Sequence, residues 1–381
     1  MNTNIMVEEA VAAFRKLLIE QLDRVERMEK DAVIETEEKK CIKIGIIDGD
    51  GIGPIIVKQA ERVVRCLLEN EIANGLVELK RIEGLTIENR LASGKTLPDG
   101  VLDAIKECDV FLKGPTTTPK GGSMESANVA LRRELDLFAN VRPVSIPEKG
   151  IDWAFFRENT EGEYVLGSRG VQIGDKMAVD FKVTTTLGTK RIARAAFEYA
   201  VRNGKKNVAI VTKANIMKKT DGNFSAICHE VAKDYPDITV EDWYVDIMAA
   251  NLINESMASR FEVFLLPNLY GDILTDEAAQ IQGGVGTAGS ANTGDRYGMF
   301  EAIHGSAPRM IEEGIGEYAN PASILRALCM LLDHVGLSDK AKKLTDAIAV
   351  TDLNASVHVT GSRDGATCEA YTDALILQLQ K

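Results

Sequence analysis

An α/β fold follows from three observations along the 381 residues. Short β-branched or aromatic runs (CDVFLKGP at 108–115, DWAFFREN at 152–159, NVAIVTK at 207–213, FEVFLLPN at 261–268) alternate with longer segments of helical period. No repeat period is visible and no Gly/Pro-rich linker is long enough to divide the chain, so interleaved domains are expected. Several strand runs end in polar or charged residues, among them Arg157, Glu158, Asn159, Lys213 and Asn268, where an α/β sheet displays its chemistry.

Taken in order, the first element is a helix. Val7, Val11, Phe14, Leu18, Leu22, Val25 and Met28 recur at helical spacing near a heptad seam, a stripe that needs a partner: its own subunit or a second one. The charged stretch Glu35 to Lys40 separates this helix from CIKIGIID at 41–48, a buried strand ending in a glycine turn, so the catalytic core is expected to start at residue 41. Gly49-Asp50-Gly51-Ile52-Gly53-Pro54 stops short of a dinucleotide fingerprint because Pro54 stands where the third glycine belongs. It reads as a tight strand-to-helix passage with proline at the helix start.

Composition excludes several functions. With 45 Lys plus Arg against 57 Asp plus Glu the net charge is −12, which disfavours nucleic acid and anionic membrane as partners. The 45% apolar and 27% charged fractions describe an ordinary globular chain. Six dispersed cysteines form no C-x-x-C pair and read as reduced thiols. The longest apolar run near the N-terminus, Leu17-Leu18-Ile19, is too short for a signal or membrane segment, so a cytoplasmic protein is expected.

Two constellations carry chemistry. In the segment from Gly121 to Leu135, Ser126, Asn128 and Arg132 gather near a helix N-terminus and offer hydroxyl, amide and guanidinium donors to an anion. Arg142 and Arg157 follow at the ends of apolar stretches, and three such arginines in an acidic protein suggest recognition of a polycarboxylate or phosphate. The second set is Asp246, Asp272 and Asp276. Asp272 and Asp276 are i and i+4 directly after a buried strand, and oxygen-only ligation of a hard divalent cation, Mg²⁺ or Mn²⁺, would account for their repulsive spacing.

The blocks GDGIGP, KGPTTTP, SANVALRRELDLFANVRPV, FRENTEGEY, KVTTTLGTKRIARAAFEYA, TKANIMKKTDG, YVDIMAANLI, LPNLYGDILTDEAAQIQGGVG and EAIHGSAP occur in this order. Over residues 41–381 the chain resembles the β-decarboxylating dehydrogenases of the isocitrate and isopropylmalate dehydrogenase family. The resemblance implies a mixed sheet in two interleaved domains plus an N-terminal helix. Residues 1–40 form an extension, 41–137 with 283–381 a large cofactor-binding domain, and 138–282 a small dimerisation and substrate domain with a clasp-like segment near 162–186. It further implies that Arg132, Arg142 and Arg157 clamp the substrate carboxylates, that Tyr164 and Lys213 are the acid–base pair, and that Asp246, Asp272 and Asp276 are metal ligands. Asp246 and Lys213 would come from the neighbouring subunit of a homodimer with shared sites. Thr117, Asn215, Glu301, His304, Gly305, Ala307 and Asn320 are expected along the dinucleotide, which would explain the missing fingerprint. Lys213 is expected to sit desolvated among apolar strand residues.

Within the family, polar Ser126 and Asn128 match isocitrate enzymes, whose substrate presents a γ-carboxylate. Against an isopropyl group the same donors would be left buried and unpaired. Isocitrate is therefore the expected substrate, with homoisocitrate and isopropylmalate the alternatives. Arg309-Met310 after EAIHGSAP matches neither cofactor pattern, and Val357 and Gly361 fall where NADP-using relatives hold the 2′-phosphate, so NAD is expected and NADP is the alternative. A non-catalytic regulatory subunit is the remaining reading; it would be expected to lack one or more of Tyr164, Lys213 and the aspartates, all of which are present. The N-terminal helix, outside the family core, is assigned to assembly beyond the dimer.

Overall fold

The computed structural model describes residues 3–31, 40–119, 124–166, 170–284 and 288–381. The charged stretch up to residue 39, residues 120–123 and residues 167–169 of the clasp-like segment lie outside the described residues. In chain order the strands are β1 (Ile42–Ile47), β2 (Val77–Arg81), β3 (Val110–Lys113), β4 (Ala139–Ile146), β5 (Ile151–Glu158) and β6 (Val171–Ile173). They continue with β7 (Met177–Val179), β8 (Asn207–Thr212), β9 (Thr239–Tyr244), β10 (Val263–Leu266), β11 (Gly289–Thr293) and β12 (Gly298–Ala302). Contacts divide the chain into two compact units, 39–154 with 275–381 and 1–38 with 155–274.

The larger unit orders its strands β2-β1-β3-β12-β11-β4. β1 runs parallel to β2 and β3, β12 runs parallel to β3, and β11 is antiparallel to both β12 and β4. The inner parallel strands β1, β3 and β12 are mostly apolar and buried, as strands covered on both faces must be, whereas β2 at the sheet edge is VELKR. Ile44, Ile46, Leu112 and Phe300 pack with Ile56, Val57, Ala60, Val63 and Val64 of the helix Gly53–Leu67, whose buried positions keep the 3.6-residue period. Ile324, Leu328 and Leu331 of the helix Ala322–His334 complete this core.

The glycine turn after β1 confirms the reading as a close backbone passage. Gly49 and Gly51 have φ of 71° and 59°, and a Cβ at either would collide with the Pro115 or the Ser306 carbonyl. The Asp50 amide donates to Pro115 O at 2.7 Å and the Ile52 amide to Ser306 O at 3.0 Å. Three loops are thereby brought together at the ends of β1, β3 and β12.

The smaller unit carries β5-β10-β8-β9, with β8 parallel to β9 and to β10, and a separate β6-β7 hairpin. Phe155 of β5 stacks on Phe264 of β10 at 4.3 Å between ring centroids. The N-terminal helix Thr3–Asp31 groups with this unit.

The units divide at 154/155, within β5, and at 274/275, within the helix Asn268–Gln282, and β4 lies with the larger unit, hydrogen-bonded to β11 through Val141–Ala291 and Asn140–Asn292. Within the single chain the N-terminal helix packs chiefly beside the stripe its heptad spacing singled out. Met6 and Leu17 are buried, Leu17 against Val165, Phe181 and Val183, whereas Val7, Val11 and Leu18 remain about half exposed. Phe14 stacks on Phe181 while 41% exposed. The apolar stripe is wider than its own unit covers.

Candidate active site

In the larger unit a pocket is lined by Thr116, Asn128, Arg132, Arg142, Glu301 and His304, among others. Its organising group is Glu301 at the end of β12, a carboxylate 4% exposed. Lys113 Nζ lies 3.1 Å from Glu301 Oε2, Asn128 Nδ2 donates to Oε2 at 3.0 Å, Asn292 Nδ2 to Oε1 at 3.0 Å, and Arg132 Nη2 to Oε1 at 3.5 Å. Burial works against its charge, but Lys113 and Arg132 outweigh burial and hold the carboxyl below its ordinary range. Lys113, fully buried, also donates to Gly114 O at 2.8 Å. This lysine and Asn292 were not singled out by sequence. The available signal was a charged residue closing the apolar run CDVFLKGP.

The helix Ala127–Glu134 places Asn128 and Arg132 one turn apart, so both reach Glu301. Ser126 stands at the N-cap with an extended ψ of 132° and makes no side-chain cap bond. Asn128 Oδ1 in turn accepts from Thr116 Oγ1 at 3.0 Å. Arg142 on β4 donates through Nη1 to Thr275 Oγ1 at 2.6 Å and to Asp276 Oδ1 at 2.9 Å.

Of the expected dinucleotide residues, Thr117 donates its amide to Asp50 Oδ2 at 2.7 Å and pairs its hydroxyl with Ser306 at 2.7 Å. Asp50, 5% exposed, also accepts the Ile87 amide; its place inside GDGIGP was read only as turn chemistry. His304 and Gly305 line the pocket beside Glu301, and burial lowers the His304 pKa. Ala307 adopts φ 44° at the start of the helix Pro308–Glu312, and Asn320 caps the Ala322 amide at 2.8 Å. Asn215 lies exposed in the turn after β8 of the smaller unit.

The smaller unit holds the remaining groups in two clusters. In the first, Arg157, 1% exposed at the end of β5, donates through Nε and Nη2 to Asn268 Oδ1 at 2.9 and 2.7 Å and pairs with Asp272. The Tyr164 hydroxyl donates to the other Asp272 oxygen at 2.6 Å, and the Arg157 guanidinium stands 5.3 Å from the Tyr164 ring centroid. In the second, Lys213 Nζ donates to Asp246 Oδ1 at 2.6 Å. The expectation of a desolvated Lys213 is corrected: its side chain is 27% exposed and carries a carboxylate partner, because it lies just past the end of β8 and outside the apolar run.

A buried ion pair supports both clusters. Lys182 Nζ lies 2.6 Å from Asp221 Oδ1 and 3.2 Å from Glu163, next to Tyr164, while Asp221 Oδ2 accepts the Lys213 amide at 2.8 Å. Asp221 is 0% exposed, and burial is outweighed at Lys182 by Asp221 and Glu163, which raise its pKa. Sequence reading passed over both residues.

Asp272 and Asp276 share the helix Asn268–Gln282, one turn apart, and Asp246 sits in the first turn of Val245–Leu252. Among the described residues, no group of three or more His, Cys, Asp or Glu side chains is placed to hold a metal ion. No helix among the described residues is long and apolar enough to cross a membrane.

The chain is similar to known proteins over most of its length. The family described as isocitrate/isopropylmalate dehydrogenase matches residues 43–375. Subunit 2 of the mitochondrial NAD isocitrate dehydrogenase of Schizosaccharomyces pombe is 36% identical over 345 residues, 88% of this chain and 87% of that protein. The NADP isocitrate dehydrogenase of Rickettsia prowazekii is 40% identical over 313 residues, 80% of this chain and 62% of that one. The crystal structure of isocitrate dehydrogenase from Methylococcus capsulatus superposes with a TM-score of 0.79 at 34% identity, covering 89% of this chain and all of that one.

Proposed function

The chain belongs to the isocitrate/isopropylmalate dehydrogenase family, and from that premise we propose that this decarboxylating dehydrogenase converts isocitrate to 2-oxoglutarate and CO₂ with hydride transfer to NAD. The observation that carries the choice of substrate is the wall of the pocket in the larger unit. Asn128, Arg132, Arg142 and Thr116 present it with amide, guanidinium and hydroxyl groups. Although Asn128 and Arg132 are held on Glu301, and Thr116 on Asn128, this polar and cationic wall suits a γ-carboxylate better than an isopropyl group.

Arg132, Arg142 and Arg157 hold the substrate carboxylates, a task suited to fixed, always-charged forks. Lys213 accepts the proton of the 2-hydroxyl as hydride leaves C2 for the nicotinamide, and the resulting 3-carboxy-2-ketoacid loses CO₂. Tyr164 then protonates C3 of the enol. The donor set fits a hard divalent cation: Asp272, Asp276 and Asp246 offer only oxygen, and their side chains are 38%, 60% and 58% exposed. Mg²⁺ or Mn²⁺ held there would acidify the hydroxyl and stabilise the charge that develops on CO₂ loss. Asp246 and Lys213 act in the site of a second copy, which makes a homodimer the working unit.

NAD is favoured on the sequence pattern: Arg309-Met310 after the EAIHGSAP block matches no NADP pattern, and Arg309 is 85% exposed with its Nε on Glu313. Val357 and Gly361 add no donor for a 2′-phosphate. The test is a six-way panel of purified enzyme with isocitrate, homoisocitrate and isopropylmalate against NAD⁺ and NADP⁺. The highest kcat/KM is expected for isocitrate with NAD⁺. A higher value for isopropylmalate would overturn the substrate reading, and a higher value for NADP⁺ the cofactor reading.

A further inference from the structure

The N-terminal helix lies outside the matched family region, yet one of its side chains enters the loop that follows β5. Arg24 stands seven residues, two turns, beyond the buried Leu17 and so shares its inward face. Its guanidinium donates through Nη1 to Glu161 Oε1 at 3.0 Å and through Nη2 to Thr160 Oγ1 at 2.8 Å. The contact is nearly sealed: the two side chains are 16% and 2% exposed.

Glu161 is the knot of that loop. Its Oε2 accepts the Thr185 amide at 2.7 Å and its Oε1 the Thr185 hydroxyl, tying it to the start of the helix Thr186–Arg202. Its main-chain oxygen accepts Asn268 Nδ2 at 2.9 Å, and Asn268 Oδ1 is the group that receives Arg157. Three residues further on stands Tyr164, after Gly162 has bridged to Val183 at 2.8 Å. Arg24 is therefore linked to Arg157 through Glu161 and Asn268, and to Tyr164 through the main chain that follows Glu161.

We propose that Arg24 is a positioning residue, through which the N-terminal helix fixes the 158–164 loop and with it the presentation of Arg157 and Tyr164. The need for a cation there is electrostatic. Glu158 and Glu161 are buried three residues apart, at 3% and 2% exposure, and Glu158 already accepts from the amides of Thr160 and Glu161. Burial, then Glu158, push the Glu161 carboxyl up to about 7, while Arg24 pulls it down. Of the further charged groups at this loop, Arg191 donates to Thr160 Oγ1 at 3.2 Å and Glu163 pairs with Lys182 at 3.2 Å. Without Arg24, Glu161 would carry its proton at neutral pH or be forced apart from Glu158.

The functional half of this inference rests on the roles proposed for Arg157 and Tyr164, and the test separates the two. Arg24→Gln, Arg24→Lys, Glu161→Gln and the Arg24→Gln/Glu161→Gln double variant are compared in the full-length protein. In Arg24→Gln, kcat should fall about ten-fold and the acid limb of its pH profile should move upward, with partial recovery in Arg24→Lys. In the Glu161→Gln background, where there is no carboxylate to hold, the same change should cost less than about two-fold. Hydrogen exchange at the Gly162 amide should accelerate in Arg24→Gln whatever the substrate. An unchanged acid limb, or an equal loss of kcat in both backgrounds, would overturn the coupling to Glu161, and unchanged Gly162 protection would overturn the strut itself. Parental protein inactive on all three acids would defeat the functional reading while the exchange result still decided the structural one.

Discussion

Glu301→Gln is the sharpest test of how the pocket is built. The carboxylate takes four donors, two of them cationic, and Lys113 has only Gly114 O besides it. A glutamine can satisfy two of those donors through its single oxygen, but its amide group then points at donors on the other side. It also leaves the Lys113 ammonium, 0% exposed, without a countercharge, a change that typically costs about 3–5 kcal/mol. Adding Lys113→Met removes the stranded charge, so the double variant should recover most of that loss. Equilibrium urea unfolding of the parental protein, both single variants and the double variant gives the coupling energy, provided m is unchanged. The pH sign follows from the carboxyl's depressed pKa: the pair stabilises the parental fold from neutral through mildly acid pH and is lost only as pH falls below the ordinary carboxylate range. A coupling below about 1 kcal/mol would mean that Lys113 is neutral in the fold and that Glu301 is not its counterion.

Turnover should require Mg²⁺ or Mn²⁺ and collapse under chelation, and Asp272→Asn should raise the metal concentration needed for half-maximal rate, since a neutral amide holds a hard cation poorly; full activity in excess EDTA would remove the metal assignment. Lys213→Met should suppress the hydride step while Tyr164→Phe should chiefly damage protonation after CO₂ loss. Supplying the oxidised ketoacid separates the two, and a Tyr164→Phe enzyme that processed it at the parental rate would show that the tyrosine is not the proton donor.

The sequence by itself determined the α/β class, because strand-length apolar runs alternating with helical periods leave few other ways to bury both faces of a sheet. It also marked Arg132, Arg142, Arg157, Asp272 and Asp276 as a chemical set, since arginines beside apolar runs and acids at i and i+4 are costly unless used. The glycines of GDGIGP could be read as a tight passage from their type alone.

Only the tertiary structure decided the partners. Glu301 meets Lys113 and Arg132 from 188 and 169 residues away, and Arg24 meets Glu161 across 137, separations at which local periodicity carries no information. The N-terminal helix shows the limit most directly. Its heptad spacing marked the Val7, Val11 and Leu18 stripe for a partner surface, and only the fold shows that Met6, Leu17 and Arg24 are the side chains it turns inward, toward Val165, Phe181 and the Glu161 carboxylate.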